Sequence, residues 1–417
     1  MRLLTLTDAL AAKLLGARRG GDAAADRVAA RIVADVRRRG DAALFSWSRQ
    51  LDGLRLTPQS MWVSRRDIDS AGRDVSPALR EALTHAARNI RRVAEKQRPR
   101  AWSVAVEPGV RVSQRVTPLE TIGCYVPGGR FSLVSTLLMT VVPAQVAGVE
   151  RIVVACPRPN AALLAAARLL GVREIARIGG AQAIAALAYG TRSVPRVDKI
   201  FGPGNRYVTA AKRLVSADCA VDLLAGPTEV LVVAQRGNAR YIASDLVAQA
   251  EHDPDAVALL VTTSRKLASD VRDNVSEQLS ALPPTNPARR SLSGNGAILI
   301  APSTAAAVRF ANLFAPEHLS LPDATRAMLG QLSSAGSVFL GPWSAQSVGD
   351  YASGTNHVLP TGGGARSRGG LSTWDFVRCT SMQQLTRAGL QRLAPVVAAL
   401  AQAEGLVAHR RAVEVRR

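Results

Sequence analysis

The 417-residue chain is poor in aromatic residues, cysteine, histidine and acidic residues. Aromatics make up 4% of it, so its cores must come from the Ala, Val, Leu and Ile that dominate a 47% hydrophobic content. Its four cysteines, Cys124, Cys156, Cys219 and Cys379, are too widely spaced for a Cys-x-x-Cys pair. That excludes a zinc ribbon, a thioredoxin-like motif and a disulfide framework, and fits a reducing compartment. No apolar stretch is long and uncharged enough to span a bilayer, and Asp8 and Lys13 interrupt the apolar start before a signal-type core forms. A soluble cytoplasmic protein is expected. There are 32 acidic against 53 basic residues, a formal net charge of +21. Such a surface attracts polyanions at low salt, but the arginines are spread along the chain without aromatic interleaving or a nucleic-acid motif. The length favours more than one domain.

What remains is a central α/β pattern. Apolar strand candidates at 121–126, 151–156, 174–178 and 199–201 alternate with helical patterns at 134–147, 161–170 and 181–189. A second series has strands at 229–234, 256–263, 297–301 and 337–340, with helices around 240–252, 265–281, 304–313 and 325–333. Alternation of this kind predicts parallel sheets with right-handed crossovers, here in two related domains that break near Ala225-Gly226-Pro227. Ahead of them, residues 1–20 read as a short helix, 22–50 and 77–98 as longer ones, and 102–120 as a β-ribbon from its alternating valines. The tail from Ser372 reads as helical, and the stretch 362–370 as a mobile loop.

The chemistry-bearing residues gather in short polar clusters. Gln249 and His252 close a helical pattern three residues apart, where one helix face would present an oxygen and an imidazole to a divalent metal. Glu317-His318, after Pro316, could supply two proton-transfer groups from a loop, or simply be a solvated helix end. Gly349–His357, with Asp350, lies beyond an apolar strand, and Glu404–His409 sits in the basic tail. Glycine turns at Tyr125–Gly129, Gly179–Gln182 and Gly202–Asn205 follow successive strands. Together they mark a crevice for a nucleotide-like ligand, although none is a full G-x-G-x-x-G.

Taken together these segments resemble the histidinol dehydrogenase family along nearly the whole chain. The likeness rests on the runs 125–129, 143–149, 179–182, 197–205, 225–227, 249–253, 316–319, 347–361 and 404–409. It implies an α/β fold of two incomplete Rossmann-like parallel-sheet domains with small helical terminal segments. Their expected bounds are 1–20, then 21–124 with 229–371, then 125–228, and finally 372–417. The implied activity is oxidation of L-histidinol to L-histidine in two NAD-dependent hydride transfers through a bound aldehyde, with Zn2+ anchoring the substrate. By the same resemblance Gln249, His252, Asp350 and His409 are metal ligands, and Glu317 and His318 move protons. Thr228 and Glu404 join His318 and the ligands in touching substrate, while Tyr125, Gln182 and Asn205 touch NAD. The family's intertwined homodimer implies that Glu404 and His409 act in the partner's site.

Four features depart from the family pattern, one of them Arg378 where a lysine is common. Thr228 stands where a serine is usual, Phe131 where a small residue is common, and the 362–370 loop carries Arg366 and Arg368. These keep a second reading open, oxidation of another polar alcohol such as a sulfonated propanediol. A third, resting on charge alone, is a non-catalytic polyanion-binding protein.

Overall fold

The computed structural model describes residues 1–18, 22–128 and 133–416; Gly129 and Phe131 lie outside them. Strand β1 (Arg2–Thr5) comes first, followed by the ribbon β2 (Trp102–Glu107) and β3 (Val110–Pro118). The first α/β series contributes β4 (Thr121–Tyr125), β5 (Arg151–Ala155), β6 (Glu174–Ala176), β7 (Lys199–Phe201) and β8 (Ala220–Val221). The second contributes β9 (Glu229–Val233), β10 (Val257–Thr262), β11 (Ala297–Ile300), β12 (His318–Leu321) and β13 (Ser337–Leu340), and β14 (Val377–Leu385) is last.

They form two parallel sheets, in the orders β6-β5-β4-β7-β8 and β1-β11-β10-β9-β12-β13, and one antiparallel sheet, β14-β3-β2. The expected α/β class is therefore observed. Each parallel sheet is buried on both faces, as such sheets require. Small residues make this possible where aromatics are scarce: helix Gly180–Tyr189 buries Ala181, Ala183, Ala185, Ala186 and Ala188 against its neighbours. Helix starts follow ordinary capping chemistry, with Ser76, Asn238, Ser264 and Ser303 each accepting a backbone N–H of the first turn.

Several expectations are corrected. Residues 1–20 are not purely helical, because β1 adds an edge strand parallel to β11 before helix Asp8–Ala17. The helix expected over 22–50 is broken at Gly40, whose φ of +55° separates Ala23–Arg39 from Asp41–Asp52. The tail from Ser372 is not all helix, since β14 pairs along its full length with β3. The stretch 362–370 is tied down: Gly362 donates to Glu229, Arg366 to the Leu313 carbonyl, and Arg368 to the Asp222 carbonyl and the Asp375 carboxylate. Helices within 23–97 pack on the helices of the five-stranded sheet. Those contacts join much of the segment 23–97 to the segment 125–228.

One buried ion pair shapes the five-stranded sheet's carboxyl edge. Lys212 and Asp222, with side chains 3% and 0% exposed, face each other beneath the turn after β7. Lys212 donates to the Gly202 carbonyl at 2.6 Å, and Asp222 accepts the Gly202 N–H at 2.7 Å. Gly202 has φ +106°, and a Cβ there would meet the Tyr125 carbonyl at 2.1 Å. Lys212→Met strands a buried carboxylate and is expected to destabilise the fold by about 3–5 kcal/mol. A chemical-denaturation midpoint equal to that of the unmodified protein would contradict this.

Candidate active site

Glu317 and His318, the expected proton-transfer pair, stand at the amino end of strand β12, beside β9. His318 is the first residue of β12 and pairs in register with Val230 of β9. Sequence reasoning had placed Glu317-His318 in a loop; the four-residue β12 places both side chains in the interior, 6% and 3% exposed. Just before them, helix Thr304–Phe314 ends at Ala315, which has φ +47° and is the one non-glycine residue with positive φ among the described residues.

A chain of hydrogen bonds links the pair to two of the expected metal ligands, Gln249 and Asp350. Gln346 Nε2 donates to Gln249 Oε1 at 2.8 Å, and Gln249 Nε2 donates to Thr228 Oγ1. Thr228 Oγ1 donates to Glu317 Oε2 at 2.5 Å, and the same oxygen accepts the Glu229 N–H at 2.7 Å. His318 Nδ1 lies 3.2 Å from the Glu229 carbonyl, which fixes the proton on that nitrogen in the neutral ring. His318 Nε2 faces Asp350 Oδ1 at 3.4 Å. Thr228 thus uses the hydroxyl that it shares with serine.

Burial opposes charge on His318, but the carboxylates of Glu317 and Asp350 outweigh it and push the imidazole up to about 10. Burial also raises Asp350, yet His318, with His357 and His252, holds its carboxyl below the usual range. His357 is lowered by burial against the pull of Asp350, whose backbone carbonyl lies 2.9 Å from His357 Nδ1.

Not every expected residue joins this cluster. Helix Ala239–Ala250 ends before His252, so Gln249 and His252 do not share a helix face. Gln249 is buried and His252 exposed, although His252 is near enough to influence Asp350. Glu404 and His409 are exposed, at the end of helix Arg387–Ala403 and within helix Val407–Glu414. Among the described residues of this one chain, no three His, Cys, Asp or Glu side chains are grouped to hold a metal. The donor set still suits Zn2+: an amide oxygen and a carboxylate are oriented by neighbours, with an imidazole close by.

The residues expected on the nucleotide side lie at the carboxyl ends of the other sheet. Tyr125, at the end of β4, is raised to about 12 by burial, and its hydroxyl accepts the Gly180 N–H at 3.2 Å. Gln182 is fully buried; its Nε2 donates to Asp52 at 2.9 Å, while its Oε1 has no partner among the described residues. An unmet acceptor beside a glycine turn suits a hydroxyl-bearing cofactor such as NAD. Asn205 is exposed and caps helix Arg206–Val215 through Oδ1.

Sequence reasoning missed Glu229, Gln346 and Arg18. An acidic residue opening the run Glu-Val-Leu-Val-Val was the available signal for Glu229. Gln346 and Arg18 carried none, because their partners lie 97 and 211 residues away.

An imidazole and a carboxylate are buried side by side in an α/β fold that also offers a separate glycine-turned crevice, the arrangement of a candidate enzyme site. The family profile described as histidinol dehydrogenase matches residues 17–417. The chain is 45% identical over 392 residues to the histidinol dehydrogenase of Halalkalibacterium halodurans, covering 92% of each. It is 47% identical over 393 residues to that of Vibrio cholerae, covering 93% of this chain and 90% of the relative. The crystal structure of histidinol dehydrogenase from Elizabethkingia anophelis superposes with a TM-score of 0.94 at 37% identity, covering 100% of this chain and 98% of that one. The chain belongs to the histidinol dehydrogenase family of NAD-dependent oxidoreductases.

Proposed function

We propose that this chain oxidises L-histidinol to L-histidine in two NAD-dependent steps at the Glu317–His318 pair, as a cytoplasmic enzyme of histidine biosynthesis. The observation that carries the reading is the continuous hydrogen-bonded path from Gln346 and Gln249 through Thr228 and Glu317 to Glu229, His318 and Asp350. It joins two expected metal ligands to both expected proton-transfer groups.

Gln249, His252 and Asp350 would hold Zn2+ together with the partner subunit's His409. Bound there, the ion would anchor the substrate's imidazole and amine, and bound NAD would supply the hydride acceptor. Engaging Asp350 as a ligand would withdraw one of the two carboxylates that raise His318, so that the ring, with Nδ1–H committed to the Glu229 carbonyl, would offer a deprotonated Nε2 to the carbinol proton. Glu317 Oε2, held by Thr228 and the Glu229 N–H, takes a proton from the water that adds to the aldehyde. Thr228 fixes the Gln249 amide and the Glu317 carboxylate at once, and with Glu404 it completes the substrate contacts. Tyr125, Gln182 and Asn205 line the nucleotide side.

A homodimer is part of the same proposal. The tail that bears Glu404 and His409 is exposed, and so are apolar side chains of the adjoining arm, among them Trp102, Val106, Leu400 and Val407. These suit burial against a second copy. The sulfonated-propanediol reading loses its main support, because Arg366 and Arg368 are engaged by Leu313, Asp222 and Asp375. Polyanion binding gains no support beyond net charge. No helix among the described residues is long and apolar enough to cross a membrane.

The test is NADH production from L-histidinol and from a sulfonated propanediol, with zinc present and after its removal. Turnover of L-histidinol alone, lost on chelation and restored by zinc, is expected. Preferential turnover of the sulfonate, or full activity of metal-free protein, would refute the proposal.

A further inference from the structure

Arg18 is a buried cation to which the reaction gives no task. Its side chain is 7% exposed and meets the carboxylate of Glu229, itself 3% exposed, through two donors. One of these contacts is Nε to Oε1 at 2.6 Å. A third donor, Nη1, reaches the Phe314 carbonyl, and the guanidinium carbon lies 3.7 Å from the Phe314 ring centroid. Glu229 Oε1 also accepts the Gly362 N–H at 3.2 Å.

Both partners of Arg18 lead directly into the proton-transfer pair. Glu229 gives its N–H to Glu317 and its carbonyl to His318. Phe314 ends the helix before the left-handed Ala315, two residues ahead of Glu317. A non-glycine residue in that conformation persists only where its surroundings fix it. One guanidinium therefore fixes both backbone approaches to the dyad. We infer that Arg18, from the N-terminal segment, is a positioning residue for Glu317 and His318, acting as counter-charge and clamp through Glu229 and Phe314. This rests on the dyad assignment proposed above.

Electrostatics point the same way. Burial raises the Glu229 carboxyl, Arg18 opposes that, and the nearby Glu317 raises it further. Without Arg18, the Glu229 carboxylate loses its counter-charge in a buried region that also holds Glu317, and it must move or take up a proton. Lysine is a poor substitute, because a single ammonium cannot reproduce the two-pronged carboxylate contact together with the carbonyl contact.

The test uses the full-length zinc-loaded enzyme. Arg18→Met, Arg18→Lys and Arg18→Met/Glu229→Gln are compared with the unmodified chain, using L-histidinol and then L-histidinal as substrates. Arg18→Met is expected to lower kcat on the order of 10²-fold, the effect of small misplacements of reacting groups, with KM for NAD and zinc content unchanged. Arg18→Lys should fall between, and the double variant should recover much of the loss because no carboxylate is stranded. In a Glu317→Gln background, Arg18→Met should add little to the loss of histidinal oxidation, since the two act as one unit. Unchanged kcat in Arg18→Met, or a further full loss in the Glu317→Gln background, would overturn the proposal. So would a loss explained wholly by unfolded protein in both Arg18→Met and Arg18→Lys. If the unmodified enzyme oxidises neither substrate, the dyad assignment fails instead, and that control separates the two.

Discussion

Glu317→Gln is expected to cut histidinal oxidation by roughly 10²–10⁴-fold, the usual contribution of a positioned proton-transfer group, while sparing the first hydride step. The substitution keeps the shape of the site. A glutamine oxygen can still accept from Thr228 Oγ1 and the Glu229 N–H, the two donors that hold Glu317 Oε2. What it removes is the capacity to take a proton from water. His318→Asn should show the reverse preference, slowing alcohol oxidation, because it removes Nε2, the ring atom that faces Asp350 when Nδ1 donates to the Glu229 carbonyl. Single-turnover measurements starting from L-histidinol and from L-histidinal separate the two steps. An unchanged histidinal rate in Glu317→Gln would remove the role assigned to that carboxylate.

The second large effect concerns the tail. His409→Ala and His318→Ala should each be inactive alone, the first by loss of a metal ligand and the second by loss of the base. If His409 completes the partner's site, mixing the two variants builds hybrid dimers in which one site receives an intact dyad from one chain and an intact tail from the other. Random subunit exchange then restores about a quarter of native activity. The exposure of His409 on helix Val407–Glu414, against the burial of Gln249 and Asp350, motivates the prediction. No recovery after exchange verified by mass spectrometry would place the tail in its own subunit's site.

Much of the scaffold was legible because its elements are long or strongly patterned. Strand 199–201, helix 134–147 and helix 265–281 have the bounds expected from apolar runs and caps. The misses share a physical cause. Strand β12 is only His-Leu-Ser-Leu, too short for any period to register, and it becomes a strand because β9 and β13 flank it. Strand β14 is polar and exposed along most of its length, and its strand character comes from pairing with β3. Strand β1 depends on an edge left open by β11.

The candidate site divides in the same way. Residue identities at Glu317, His318, Gln249 and Asp350 could be carried over from a resemblance. Their order along a hydrogen-bonded path could not, since it depends on Thr228 and Glu229 lying beside residues nearly ninety positions later. The rule that α/β sites lie at the carboxyl ends of strands also misleads here. It fits Tyr125 and the turns at Gly179 and Gly202, but the dyad opens β12 and its supporting Glu229 opens β9.

One enzyme is expected to carry the alcohol through to a carboxylate without releasing the aldehyde. The most direct measurement is NADH formed per L-histidinol consumed, in the presence of an aldehyde trap such as semicarbazide. The expected result is a yield of about two, unaffected by the trap, with L-histidine as product. A yield near one with trapped histidinal would contradict it.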